Sequence, residues 1–155
     1  MELQEPANGD YVSLWFPQDS EGYLMKITGK QIFNDSGGHL SGLLQWATYQ
    51  YKGTNKNAYR WNWNLRTKEE LDDYQPLIQM TRQFNLSGTS LERGVNDWID
   101  IGQFMRVYAA RVSQDDWDTI SIGNGQNMYA YFAPIERRWK LVPWDMDHTY
   151  GNVNA

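Results

Sequence analysis

Two alternating runs, Met128–Phe132 and Arg138–Val142, are separated only by Ala133-Pro134-Ile135-Glu136-Arg137, and this pairing constrains the chain more than any other feature. Strand side chains alternate between faces, and a connection of that length suits an antiparallel hairpin. Such a hairpin decides what meets at its open end. Asp115-Asp116-Trp117-Asp118 and a loop holding Gly123, Asn124, Gly125, Gln126 and Asn127 lead into the first run. Pro143-Trp144-Asp145-Met146-Asp147 leave the second, with Gly151 beyond. Closing the hairpin therefore draws Asp118, Asn127, Asp145 and Asp147 toward one cavity.

Two carboxylates and an amide oxygen suit magnesium or manganese, hard cations that take oxygen ligands. A third carboxylate suits a general base. Each residue also has a plainer reading. Asp and Gly are ordinary turn formers, so Asp145 and Asp147 also fit a simple turn, and His148 a turn histidine. Asp118 is one of three acids in four positions and also fits a helix cap or solvated loop, with Asp116 as the next candidate. Asn127 also fits backbone capping of the hairpin, and Asn124 rivals it for the amide role.

The pattern D-x8-N-x-Y-x-Y, then W-x-x-x-P-W-D-x-D-x-T-Y-G, resembles the CotH kinase family, named for a bacterial spore-coat protein. Tyr59-Arg60-Trp61-Asn62-Trp63-Asn64 and Asp72-Asp73-Tyr74-Gln75-Pro76-Leu77 resemble a segment of large secreted members. Gly22-Tyr23-Leu24-Met25-Lys26-Ile27 resembles the family's L-Y-K segment. The resemblance runs loosely from Asn8 to Gly151 and is most specific in its last forty residues or so. It implies an α+β, divergent protein-kinase-like fold, mainly the large-lobe portion with N-terminal strands. It also implies a phosphotransferase that moves the ATP γ-phosphate to a protein hydroxyl, with Mg2+ or Mn2+. By the same resemblance Asp118 is the catalytic aspartate, and Asp145 binds metal as the DFG aspartate of ordinary kinases does. Asn127 is a second metal ligand and cofactor contact, and Asp147 a further ligand or a turn-shaping acid. The location implied is secreted, cell-surface or spore-coat associated.

Two departures stand beside the resemblance. Ordinary kinases space the catalytic Asp and Asn as D-x-x-x-x-N, whereas Asp118 and Asn127 lie nine apart. Neither G-x-G-x-x-G nor G-x-x-x-x-G-K-[ST] occurs. Lys26 is the candidate for an ATP lysine, against a solvated strand-end lysine. In the family, phosphate-binding residues would lie upstream of Met1, so residues 1–155 are read as a single domain forming part of a larger kinase domain. A pseudokinase and a non-catalytic surface-protein module that binds carbohydrate or protein through exposed aromatics are the alternatives.

At 155 residues the chain is about one domain long. Eight Trp and ten Tyr supply buried area that few Leu and Ile provide. A net charge of −5 and no basic stripe argue against a nucleic-acid partner. Cysteine is absent, which excludes disulfides and cysteine zinc sites. No apolar run approaches eighteen residues, so no transmembrane helix is expected.

The remaining elements read as follows. Tyr11–Phe16 and Tyr23–Ile27 alternate and suggest a hairpin. Gly29–Gly42 is irregular, and Leu43–Tyr51 is read as a strand. Trp61–Asn64 suits a turn as well as a strand. Thr67 with Glu70 forms a capping-box pattern, with the helix proper starting at Pro76. Ser90–Arg93 suits a single turn. Asp100–Val112 is the strongest helix, with Ile101, Phe104, Met105, Tyr108 and Val112 on one face and Arg106 and Arg111 elsewhere on its surface. Arg60, between Tyr59 and Trp61, suits cation–π packing, or pairing with an acid or a phosphate.

Overall fold

The computed structural model describes residues 7–32 and 43–146. Its centre is a four-stranded antiparallel sheet in the order β4-β1-β5-β6, from β1 (Tyr23–Ile27), β4 (Trp63–Leu65), β5 (Met128–Ala133) and β6 (Arg138–Pro143). The expected hairpin is β5–β6, in register from Met128↔Pro143 to Ala133↔Arg138. A separate pair joins β2 (Lys30–Ile32) to β3 (Leu43–Gln45). Four α-helices complete the described residues: α1 (Gly9–Trp15), α2 (Gln75–Phe84), α3 (Gly88–Trp98) and α4 (Ile101–Ser113). The fold class is α+β, as expected.

Alternation sorts the sheet into two faces. Met25, Ile27, Met128, Ala130, Phe132, Trp139 and Leu141 pack with residues of α2 and α4 in the larger core. Leu24, Tyr129, Tyr131, Ala133 and Val142 face Ala7 and Val12, with Tyr11, Phe16 and Trp144 at the margin. Trp63, Trp139, Tyr59 and Tyr131 are among the largest fully buried side chains. At about 150–250 Å² each and about 25 cal/mol per Å², one such ring contributes on the order of 4–6 kcal/mol before entropy is counted. The aromatics therefore do what Leu and Ile do in other cores.

Several expectations are corrected. Tyr11–Phe16 is not a strand and makes no hairpin with β1. Asn8 caps α1 by accepting from the Tyr11 N–H at 3.1 Å, and β1 is already paired on one side with β4 and on the other with β5. Only Leu43–Gln45 of Leu43–Tyr51 is strand. The next stretch turns onto the loop before β5, where the Ala47 N–H donates to the Gly125 carbonyl at 3.2 Å. The Thr67–Glu70 capping box does not form. The Thr67 hydroxyl accepts from the Leu24 N–H and donates to the Gly22 carbonyl, both at 2.9 Å. Helix α2 begins at Gln75 with Pro76 in its first turn, and Asp73 accepts from the Gln75 N–H at 2.8 Å and from the Tyr23 hydroxyl at 3.0 Å.

Ser90–Arg93 lies inside the full helix α3 rather than in a single turn. Leu91, Gly94, Val95 and Trp98 mark its inner side, and a Cβ at Gly94 would fall 2.4 Å from the Gln83 side-chain oxygen, so Gln83 would have to shift to admit a larger residue. On α4, Ile101, Met105 and Val112 are exposed, while Phe104 and Arg111 are buried. Arg111 is thus an interior residue and not a surface one. Arg60 pairs with Asp72 at 3.0 Å.

The outer edge of β6 is closed by a side chain. The Gln103 amide accepts from the Leu141 N–H at 2.8 Å and donates to the Leu141 carbonyl, standing in for a neighbouring strand. Ahead of α4, the Asp100 N–H donates to the Trp139 carbonyl at 3.0 Å. At the closed end of the hairpin, the Asp19 carboxylate accepts from the N–H groups of Ile135 and Glu136.

Candidate functional site

Met128 pairs with Pro143 at the open end of the hairpin, so Asn127 and Trp144 are the first residues beyond the ladder. Asn127 (φ 56°) and Asp145 (φ 50°) take the left-handed conformation, as do Asp115 (φ 58°) and Ser121 (φ 70°) in the preceding loop. Asn and Asp tolerate that region better than other side-chain-bearing residues. The chain accordingly leaves the sheet sharply on both sides.

Arg111 holds the two sides together. Its side chain is fully buried in the last turn of α4. Nη2 donates to the Asn127 carbonyl at 2.7 Å and to the Trp144 carbonyl, and Nη1 faces Asp116 Oδ2 at 2.8 Å. Burial pushes the guanidinium pKa down, and the carboxylates of Asp116, Asp118 and Asp145 offset only part of that shift. Asp118 and Asp145 therefore lie within electrostatic reach of the same buried cation.

Asp118 is 5% exposed. Its Oδ1 accepts from Asn124 Nδ2 at 2.6 Å and from Gln126 Nε2 at 3.0 Å. Its Oδ2 accepts from Gln126 Nε2 at 2.8 Å and from Asn127 Nδ2 at 2.8 Å. Three amides thus wrap one carboxylate. The loop closes this tightly because Gly125 runs against backbone: a Cβ there would fall 2.1 Å from the Ala47 carbonyl oxygen.

Asp145 is exposed. The Trp144 ring before it meets Tyr129 edge-on, with centroids 5.2 Å apart. Lys26, opposite Tyr129 in the β1–β5 register, places Nζ 5.9 Å from the Trp144 ring centroid. Asp118 and Asn127 are therefore in direct contact, and Lys26 and Asp145 both adjoin Trp144. Asp147, like His148 and Gly151, lies outside the described residues. A cleft of about 360 Å³ runs beside the site, lined by Gln103, Arg106, Val107, Arg111, Pro143 and Met146 among others.

Among the described residues no three His, Cys, Asp or Glu side chains gather closely enough to hold a metal alone. Magnesium does not ask for that. It commonly takes one or two carboxylates and completes its shell with water and phosphate. The Asp145 carboxylate is exposed, and Asn127 spends only its amide nitrogen on Asp118. These residues fit a metal that arrives with a nucleotide and do not fit an all-protein cage.

Two participants escaped the sequence reading. Arg111 was placed on the helix surface, although an arginine one turn before three acids signals a buried pair. Gln126 was not singled out, although Asn124, Gln126 and Asn127 put three amides within four positions after an acid.

Among curated proteins, none matches the chain. The family model described as CotH kinase protein matches residues 17–155. That span takes in the six strands of the described residues, α2 to α4, the amide-wrapped Asp118 and the acid that follows β6. This chain is a member of the CotH kinase protein family.

Proposed function

We propose that this protein is a metal-dependent phosphotransferase that moves the γ-phosphoryl group of ATP to a hydroxyl of a protein substrate. One observation carries the reading in a chain of this family: a nearly buried carboxylate, Asp118, is oriented by three amides beside the Arg111 cation that also fixes the Asp145 turn. Phosphoryl transfer needs positioning and charge neutralisation more than covalent chemistry, and a preorganised loop supplies positioning.

In this proposal Asp118 orients the acceptor hydroxyl and takes its proton. The hydroxyl oxygen bonds to the γ-phosphorus as the bond to the β–γ bridging oxygen breaks, and ADP leaves. Asp145 and the Asn127 amide oxygen hold the metal, with Asp147 as a further carboxylate. When bound, the metal neutralises phosphate charge. Lys26, whose Nζ lies 5.9 Å from the Trp144 ring centroid, is the lysine assigned to the triphosphate in this proposal. A secreted, cell-surface or spore-coat setting is part of the same proposal. No helix among the described residues is long and apolar enough to cross a membrane.

Transfer of labelled γ-phosphate from magnesium ATP to casein, used as a generic acceptor, tests the reading. Wild type is expected to transfer label, and Asp118→Asn to lose at least about a hundredfold of that rate. Equal transfer by both removes Asp118 from the chemistry.

A second reading has its own observation. Trp61 is 59% exposed beside a polar cleft of about 460 Å³ that Arg60, Asn64, Glu69 and Asp72 help to line. That arrangement suits a stacked sugar ring in a non-catalytic binding module or a pseudokinase. Glycan-dependent quenching of Trp fluorescence without nucleotide, lost in Trp61→Ala, favours this reading; its absence across a glycan panel removes it.

A further inference from the structure

A carboxylate offers about four lone-pair positions, and on Asp118 all four are used: Asn124 and Gln126 on Oδ1, Gln126 and Asn127 on Oδ2. With none of these positions left, an acceptor hydroxyl must displace an amide. The three donors are not equivalent. Asn124 makes the shortest bond, at 2.6 Å. Asn127 is fixed at its carbonyl by Arg111. Gln126 shares a single Nε2 between both oxygens, at 3.0 and 2.8 Å, on the longest and most rotatable of the three side chains. A three-centre bond gives up two lone pairs for one donor, so moving Gln126 frees the most acceptor capacity at the lowest cost.

Given the phosphotransfer chemistry proposed above, we infer that Gln126 is a specificity-determining residue that occupies the acceptor's place on Asp118 and withholds the carboxylate from water. An acceptor held by a protein surface displaces the amide with binding energy that a lone water lacks. Gln126 thereby lowers ATP hydrolysis relative to transfer. It is a positioning residue and acts through Asp118.

The probe is water itself, as hydrolysis of magnesium ATP with no protein acceptor present. Gln126→Met keeps the side-chain length and removes the donor, and Gln126→Ala removes both. Releasing one such hydrogen bond is expected to raise hydrolysis about five- to tenfold in either variant. Asp118→Asn/Gln126→Met is expected to fall back below wild type. A gain of rate is a readout that a merely structural role for Gln126 would not produce. Unchanged or reduced hydrolysis in a folded Gln126→Met, while Asp118→Asn still abolishes transfer to casein, overturns the role of Gln126 and leaves the phosphotransfer reading standing. If the double variant hydrolyses as fast as Gln126→Met, Asp118 is not the acceptor of the proton, and both fall. Absence of nucleotide turnover in wild type and every variant also overturns both.

Discussion

Asp118 and Arg111 bring opposite charges into the same interior region, yet they are held by different partners. Arg111 faces Asp116 at 2.8 Å and donates to two carbonyls, while Asp118 is surrounded by neutral amides. Removing one partner of a buried ion pair leaves the other charge stranded, at a cost of about 3–5 kcal/mol. Arg111→Met is therefore expected to lose about that much stability in urea denaturation. Arg111→Met/Asp116→Leu is expected to recover part of it, because the Asp116 carboxylate is then no longer stranded. A single variant within about 1 kcal/mol of wild type contradicts the role given to Arg111. Asp118→Asn replaces an acceptor oxygen with an amide facing other amide donors, and is expected to cost about 1–3 kcal/mol in the same assay. Asp145→Ala, on an exposed side chain but in the left-handed conformation that Asp tolerates better than Ala, is expected to cost about 1 kcal/mol. At this scale the sequence was informative about type and weak about partner. Acids and an amide beside a hairpin are visible as letters. That Gln126 bridges both oxygens depends on a left-handed turn at Asn127 that spacing does not reveal.

Elements show the same division. The β5–β6 hairpin was readable because its alternation and connection length are local. Helix α4 was readable as an element, but its inward face was misjudged. Arg111 is buried and Met105 is 61% exposed, because hydrogen bonds from Gln103 and Arg111 fix how the helix docks on β6. Helix α1 was misread as a strand because Tyr11–Phe16 alternates in letters. The deciding facts are the Asn8 cap and a β1 strand whose two neighbours are already taken. Helix α3 was hidden by Gly94, which lowers helix propensity and packs closely against the Gln83 side chain. Gln103 offers a test at this scale. Gln103→Ala opens the β6 edge and removes both bonds to Leu141. It is expected to cost about 1–3 kcal/mol and to speed hydrogen exchange at the Leu141 amide more than at Ala130 in the sheet centre. Unchanged exchange at Leu141 would show that the edge is protected by something else.

Across the whole molecule, aromatic burial makes stability sensitive to high pH. Tyr23, Tyr49, Tyr74, Tyr108, Tyr129 and Tyr131 all have raised pKa values, each chiefly through burial, and Tyr131 is pushed up to about 12. A raised folded-state value favours the neutral phenol in the native state. The associated stability is complete below the ordinary tyrosine value near 10 and is lost as pH rises through the folded values. The Tm is thus expected to change little from tyrosine titration below about pH 9 and to fall steeply from about pH 10 to 12. Tyr131→Phe is expected to soften that fall, although it also loses the bonds from the Gly22 N–H and to the Asp19 carbonyl. A Tm that holds through pH 11 contradicts the burial argument.

The same molecule-wide arrangement brings the β5–β6 hairpin and α4 together at one end, where Arg111 donates to the Asn127 and Trp144 carbonyls and Lys26 of β1 lies near the Trp144 ring. The most direct test of that end as a metal–nucleotide site is calorimetric titration of ATP with magnesium into wild type, Asp145→Ala and Asp118→Asn, with the fold of each checked by circular dichroism. Wild type and Asp118→Asn are expected to bind with similar, magnesium-dependent affinity, and Asp145→Ala to lose at least about tenfold, or roughly 1.4 kcal/mol. Equal binding by wild type and Asp145→Ala, or no binding by a folded wild-type chain, would contradict the placement of the nucleotide and its metal at this end of the sheet.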